Sequence, residues 1–222
     1  MSDLPAKLFV SSSSPHVRDT DSISKIMWTV NIALLPSLLM AYYFFGLKAL
    51  WLTFLSVVAA VGTEAAFQKL SKKPIRVQDG SAVITGILLA FNLPASVPWW
   101  MPVIGAVFAI AIVKELFGGL GNNIMNPALA ARAFLLASWP VEMTASWVAP
   151  RGGTVSGISA ITSATPLNLL KESAKIIANP ENFDPAQVQG AQEAIAKLSS
   201  SYSNLFIGNI GGCLGETSVI AL

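Results

Sequence analysis

Charge is too scarce along this chain for it to live in water. Only 12% of its 222 residues are Asp, Glu, Lys or Arg, about half the roughly 25% of a soluble domain. Its apolar runs approach the length of about 20 residues that crosses a bilayer. Together with a mean hydropathy of +0.60, this predicts an all-α polytopic membrane protein. A net charge of +2 gives no reason to expect nucleic acid as a partner. The single cysteine, Cys213, and the single histidine, His16, exclude an internal disulfide, a cysteine zinc site, an iron–sulfur cluster held by this chain alone and a multi-histidine metal or haem site. Redox or transport chemistry here must use a group brought in from outside.

Residues 1–25 read as a cytoplasmic N-terminal tail. Asp3, Asp19, Asp21 and four consecutive serines leave no apolar stretch beside a basic start, so a cleavable signal peptide is not expected. Residues 26–140 read as a first membrane bundle of about five spans and half-spans. Ile26 to Gly46 is a span with Trp28 and Tyr42-Tyr43 near its ends, interrupted by Asn31 and Pro36. Ala49 to Phe67 is a second span carrying Glu64. The basic loop that follows, with Lys69, Lys72, Lys73 and Arg76, belongs in the cytoplasm by the positive-inside rule.

Ser81 to Leu93, framed by Asp79-Gly80 and by Asn92, Pro94 and Pro98, is too short to cross and reads as a half-helix. Trp99 to Leu116 reads as a full span ending in Lys114-Glu115. After the glycine–asparagine run Phe117 to Asn123, Asn126-Pro127 opens a second short apolar segment, Ala128 to Trp139, containing Arg132. Paired short, Gly/Pro-interrupted segments point to a site near the bilayer midplane. Residues 141–203 are polar, with four basic against five acidic residues, and fall outside the cytoplasm. Within them Leu167 to Ala178 and Pro185 to Leu198 read as helices, the second N-capped by Asp184. Residues 204–222 start a second membrane bundle. There Glu216-Thr217-Ser218-Val219-Ile220 echoes Asp79-Gly80-Ser81-Ala82-Val83-Ile84, so an inverted repeat, incomplete here, is expected, with further spans beyond Leu222.

Inside the polar segment, Pro166 biases Thr165 away from the helical region and presents its hydroxyl. By composition alone Thr162-Ser163-Ala164-Thr165-Pro166-Leu167 is simply a loop. Several runs nevertheless resemble one family: Ser14-Pro15-His16-Val17-Arg18, Asp79 to Gly86, Lys114 to Asn123, Asn126-Pro127-Ala128 and the loop run itself. In this order, over nearly the whole chain, they resemble the family that holds the D subunit of the Rnf complex, a ferredoxin:NAD oxidoreductase, and the B subunit of the sodium-pumping NADH:quinone oxidoreductase.

The resemblance implies that Thr165 is esterified to the phosphate of FMN by a separate flavin transferase, with Thr162, Ser163 and Ala164 as the small-residue motif that leaves room for it. One departure is visible: such motifs often begin with an aspartate six positions before the threonine, where this chain has Ser159. Related B subunits hold a second, non-covalent flavin, riboflavin, in the membrane; by the same resemblance Asn122, Asn123 and Arg132 are candidates to touch it. Asn122 and Asn123 could equally bond freed backbone carbonyls, and Arg132 could pair with an acid.

The remaining charges in apolar segments are functional candidates by default, since each costs roughly 2.5–3.5 kcal/mol to insert. For Glu64, Lys114 and Glu115 the expectation is a position at a span end reaching the interface. Asp79 is expected to cap the half-helix. The implied function is an electron-transfer subunit of an inner-membrane, ion-translocating ferredoxin:NAD+ oxidoreductase, turning over no substrate alone. Its partners would be other subunits, including a second FMN-bearing subunit on the outer face. The alternative is a small-solute or ion transporter without a redox cofactor, which broken helices and buried charge would also suit.

Overall fold

The computed structural model describes residues 21–144, 166–178, 185–199, 206–208, 211–215 and 218. Apart from one isolated β-bridge, the regular structure of these residues is helical. Helix α1, Ile23–Ala33, starts on Ser22, whose Oγ accepts the Lys25 N–H. Leu34 joins it to α2, Leu35–Phe45. Pro36 lies at the second position of α2, where its missing N–H would have no helical partner anyway. The expected first span is therefore two helices end to end. Together, Ile23–Phe45 is long and apolar enough to cross a membrane, as is α3, Leu47–Leu70. At about 1.5 Å per residue, α3 exceeds the roughly 30 Å of a hydrocarbon core.

On α3 the buried positions are Ala49, Leu52, Thr53, Ser56, Ala60, Glu64 and Gln68, a stripe at three- and four-residue spacing. Bulky residues such as Trp51, Phe54 and Val58 point outward. This reverses the aqueous pattern and suits lipid, where small and polar residues bring helices together. Helix α4, Ser81–Phe91, packs against this stripe. A Cβ on Gly86 would lie 2.7 Å from the Val57 Cα, so the two backbones are in direct contact there. Ser56 Oγ donates to the Gly86 carbonyl at 2.8 Å across the same contact.

Helix α4 is the half-length helix that its sequence predicts: 11 residues, about 16 Å. Gly80, at φ +80°, turns the chain into it under α1: Asn31 Nδ2 donates to the Gly80 carbonyl at 3.2 Å, and Trp28 Nε1 to the Gln78 carbonyl at 3.2 Å. At its far end Leu214 N–H donates to the Leu93 carbonyl and Gly215 N–H to the Phe91 carbonyl, both at 3.0 Å, beside the bridge between Pro94 and Cys213.

Trp99 to Leu116 departs from the single full span expected. It is α5, Trp100–Val107, running on into a π-helical stretch, Phe108–Glu115. Sixteen residues of helix fall short of the about 20 needed to cross. Helix α6, Pro127–Ser138, is the second short apolar helix and is N-capped by Asn126, whose side chain accepts from Ala128 N–H at 3.0 Å and Leu129 N–H at 3.3 Å. A one-turn helix not anticipated from sequence, α7, Pro140–Thr144, follows it. Helices α8, Pro166–Ala178, and α9, Pro185–Ser199, fall where the polar segment predicts them and pack on each other. Asp184 as the cap of α9 lies outside the described residues. So does most of the second copy of the echo, of which Ser218 is described and buried.

Candidate functional site

A lysine buried in an apolar bundle needs a counter-charge, and three segments supply one chain of hydrogen bonds around Lys114. The π-helical stretch carries Lys114 inward, where its Nζ donates to Glu64 Oε1 of α3 at 2.6 Å and to Ser81 Oγ of α4 at 2.7 Å. Ser81 Oγ and Ser81 N–H both donate to Asp79 Oδ1, at 2.7 and 2.9 Å. On the other side, Gln68 Nε2 donates to Glu64 Oε1 and to Glu115 Oε1, each at 3.2 Å. Gln68 is held by its other amide atom, since its Oε1 accepts the Arg76 N–H at 2.8 Å. At the end of the π-helical stretch the adjacent residues Lys114 and Glu115 are both buried.

This corrects the expectation for three residues. Glu64, Lys114 and Glu115 do not reach the interface from span ends; they are 1%, 2% and 4% exposed. The reason is that α3 runs on past Glu64 to Leu70, and the end of the π-helical stretch brings Lys114 and Glu115 inward against it, where Lys114 meets Glu64 and Glu115 meets Gln68. Asp79 does serve α4 structurally, by accepting the N–H of its first residue.

Cavities lie on both sides of the ion pair. One, of about 430 Å³, is lined by Glu64, Gln68, Glu115, Asp79, Arg76 and Gly119 among others, on the side of the basic loop. Another, of about 180 Å³, is lined by Lys114, Ser81, Thr85, Asn123 and Asn126. Thus Glu64 faces one cavity and Lys114 the other.

Of the residues singled out by sequence, Asn123 lies in the smaller cavity, and its Oδ1 is buried without a hydrogen-bond partner. The Asn122 backbone N–H donates to the Gly119 carbonyl. Arg132 is not with them. Its guanidinium donates to Asn92 Oδ1 at 2.7 Å, at the opposite end of α4 from Ser81. Thr162, Ser163, Ala164 and Thr165 lie outside the described residues. The Gln68–Glu64 pair is what sequence reading missed. Its signal was present in Ser56, Ala60, Glu64 and Gln68, a run of small and polar residues every fourth position of an otherwise bulky apolar helix.

Three relatives are informative. The D subunit of the Na(+)-translocating ferredoxin:NAD(+) oxidoreductase complex of Acetobacterium woodii is 51% identical over 95% of this chain and 58% of its own length. The D subunit of the proton-translocating ferredoxin:NAD(+) oxidoreductase complex of Clostridium ljungdahlii is 44% identical over 97% of this chain and 60% of its own. The D subunit of the ion-translocating oxidoreductase complex of Rhodobacter capsulatus is 40% identical over 94% and 59%. The chain thus spans less than two thirds of these relatives' length. The model of the NQR2, RnfD, RnfE family matches residues 10–222. With nearly its whole length matched and relatives at this identity, the chain belongs to the NQR2, RnfD, RnfE family.

Proposed function

We propose that this chain is the D subunit of an ion-translocating ferredoxin:NAD+ oxidoreductase and carries electrons through FMN esterified to Thr165. The observation that carries this reading is the run Thr162-Ser163-Ala164-Thr165-Pro166 within a chain 51% identical to the D subunit of such a complex. Bound there, FMN would supply one- and two-electron chemistry that no side chain of this protein offers. The protein's share would be the Thr165 hydroxyl and small neighbours that admit a transferase, just ahead of helix α8, which begins at Pro166. In this reading the segment lies outside the cytoplasm and meets a second FMN-bearing subunit there. The N-terminal tail and the basic loop face the cytoplasm.

A non-covalent flavin in the membrane part is supported by chemistry more than by room. The orphaned Asn123 Oδ1 and the Lys114 ammonium suit the donors and acceptors along one edge of a flavin ring. A cavity of about 180 Å³ is smaller than the roughly 300–1,000 Å³ of ordinary ligand sites, so it takes such an edge and not a whole flavin. Arg132, engaged with Asn92, lies away from it.

The covalent site is tested on full-length protein expressed with and without a flavin transferase. Flavin fluorescence on a denaturing gel that requires the transferase and is absent from Thr165→Ala is the expected result. A colourless band despite an active transferase would leave the transporter reading, which the half-length helices and buried ion pair favour.

A further inference from the structure

Helix α3 ends in a capped turn that carries a positive charge where a glycine ordinarily stands. Lys72 N–H donates to the Lys69 carbonyl at 3.2 Å and Lys73 N–H to the Gln68 carbonyl at 2.9 Å, the paired bonds that close a helix through a residue in the left-handed region. That residue is Lys72, at φ +54°, and among the described residues it is the one non-glycine with positive φ. A β-carbon makes this conformation unfavourable, so glycine is its usual occupant. A lysine kept there at a cost in stability points to a use for its side chain.

Its neighbours indicate the use. Residues 69–76 are all exposed and include Lys69, Lys72, Lys73 and Arg76, with no acid between Glu64 and Asp79. The ion pairs among the described residues join Lys25 to Asp21 and Lys114 to Glu64, so none of these four cations is matched by an acid of those residues. Lys73 and Arg76 also line the cavity beside Glu64 and Glu115, but Lys69 and Lys72 do not. The backbone that carries them is fixed: besides the two cap bonds, Arg76 N–H donates to Gln68 Oε1 at 2.8 Å, and Pro74 stops the helix from resuming. Set among the cations, Leu70 and Ile75 are 83% and 62% exposed, at the end of a helix long and apolar enough to cross a membrane. An acidic protein surface would answer the charges alone. Cations interleaved with exposed aliphatic side chains at a span end match an anionic headgroup sitting above hydrocarbon.

We propose that the cap of α3 binds an anionic phospholipid, its phosphate engaged by Lys72 with Lys69, Lys73 and Arg76, and its acyl chains beside Leu70 and Ile75. A cation cluster on a backbone already tied in place binds at a smaller entropic cost than one on a free loop. Nothing in this binding requires a flavin, so it stands or falls separately from Thr165.

The test is native mass spectrometry of the full-length chain in detergent, titrated with phosphatidylglycerol or with phosphatidylcholine of the same acyl chains. Phosphatidylglycerol should bind roughly ten-fold more tightly. Lys72→Gly relieves the backbone and deletes the charge, so it should raise the thermal midpoint while weakening phosphatidylglycerol binding about five-fold. Lys72→Arg should keep both the binding and the lower midpoint. A merely structural cap would not move the two readouts in opposite directions. Equal affinity for the two lipids would overturn the proposal and leave the patch to an acidic partner protein. A preference that Lys72→Gly leaves unchanged would also overturn it, as would displacement of the lipid by inorganic phosphate at equal concentration, which would make this a site for free phosphate.

Discussion

Lys114 and Glu64, fifty residues apart in sequence, meet at 2.6 Å with both side chains 2% exposed. Removing either partner leaves an uncompensated buried charge, which costs about 3–5 kcal/mol, whereas removing both is far milder. Lys114→Met and Glu64→Gln should therefore each lower the thermal midpoint of the detergent-solubilised protein sharply. Their combination should recover most of the loss. Size-exclusion profiles after heating read this directly, and a double variant no better than the singles would contradict the pairing.

Ser81 joins two of these charges, accepting from Lys114 and donating to Asp79. Ser81→Ala deletes both bonds while keeping the backbone cap, and should cost about 1–3 kcal/mol. Ser81→Thr retains the hydroxyl and should cost less. Equal losses in the two, measured by thermal unfolding, would show that the hydroxyl has no share in the network.

Two glycines on facing elements make opposite predictions. Gly86→Ala would press a methyl to within 2.7 Å of the Val57 backbone and should destabilise by about 1–3 kcal/mol through overpacking. Gly62 has nothing within 4 Å of its Cβ position, so Gly62→Ala should be neutral or stabilising by about 0.5–1 kcal/mol through helix propensity. Folded yield and midpoint of both variants, compared side by side, check the α3–α4 contact.

Arg132 and Asn92 form a test of structural against ligand-binding roles. Asn92 accepts from Arg132 and donates to the Leu88 carbonyl at 2.8 Å. Asn92→Leu and Arg132→Gln should each lose about 1–3 kcal/mol, and the double variant should lose less than the sum. Strict additivity would mean that the two do not act on each other.

Much of this fold could be read from residue order because lipid makes length and polarity decisive. Pro36 marked the break between α1 and α2, the framing residues around Ser81–Phe91 marked a half-helix, and Asn126-Pro127 marked the start of α6. The buried charge network could not be read the same way. Whether Glu64 caps a span or enters the bundle depends on how far the helix continues past it, and α3 runs six residues further. Lys114 and Glu115 end a π-helical stretch, a register that periodicity at 3.6 residues does not anticipate. Thr165 lies outside the described residues, and the reading proposed for it rests on a short motif and its order among others, not on packing.

The polar segment between the bundle and Leu214 is rooted twice in nearly the same place. Trp139, at the end of α6, stacks edge-on against Trp100 with ring centroids 5.1 Å apart, and Leu214 is bonded to Leu93, only seven residues before Trp100. A chain leaving and returning at one point forms a closed loop whose contour length alone limits how far any point on it can travel. In the reading proposed above, a group attached to Thr165 would therefore be leashed to the neighbourhood of these two roots, and would meet a neighbouring protein at a high effective concentration fixed by that leash.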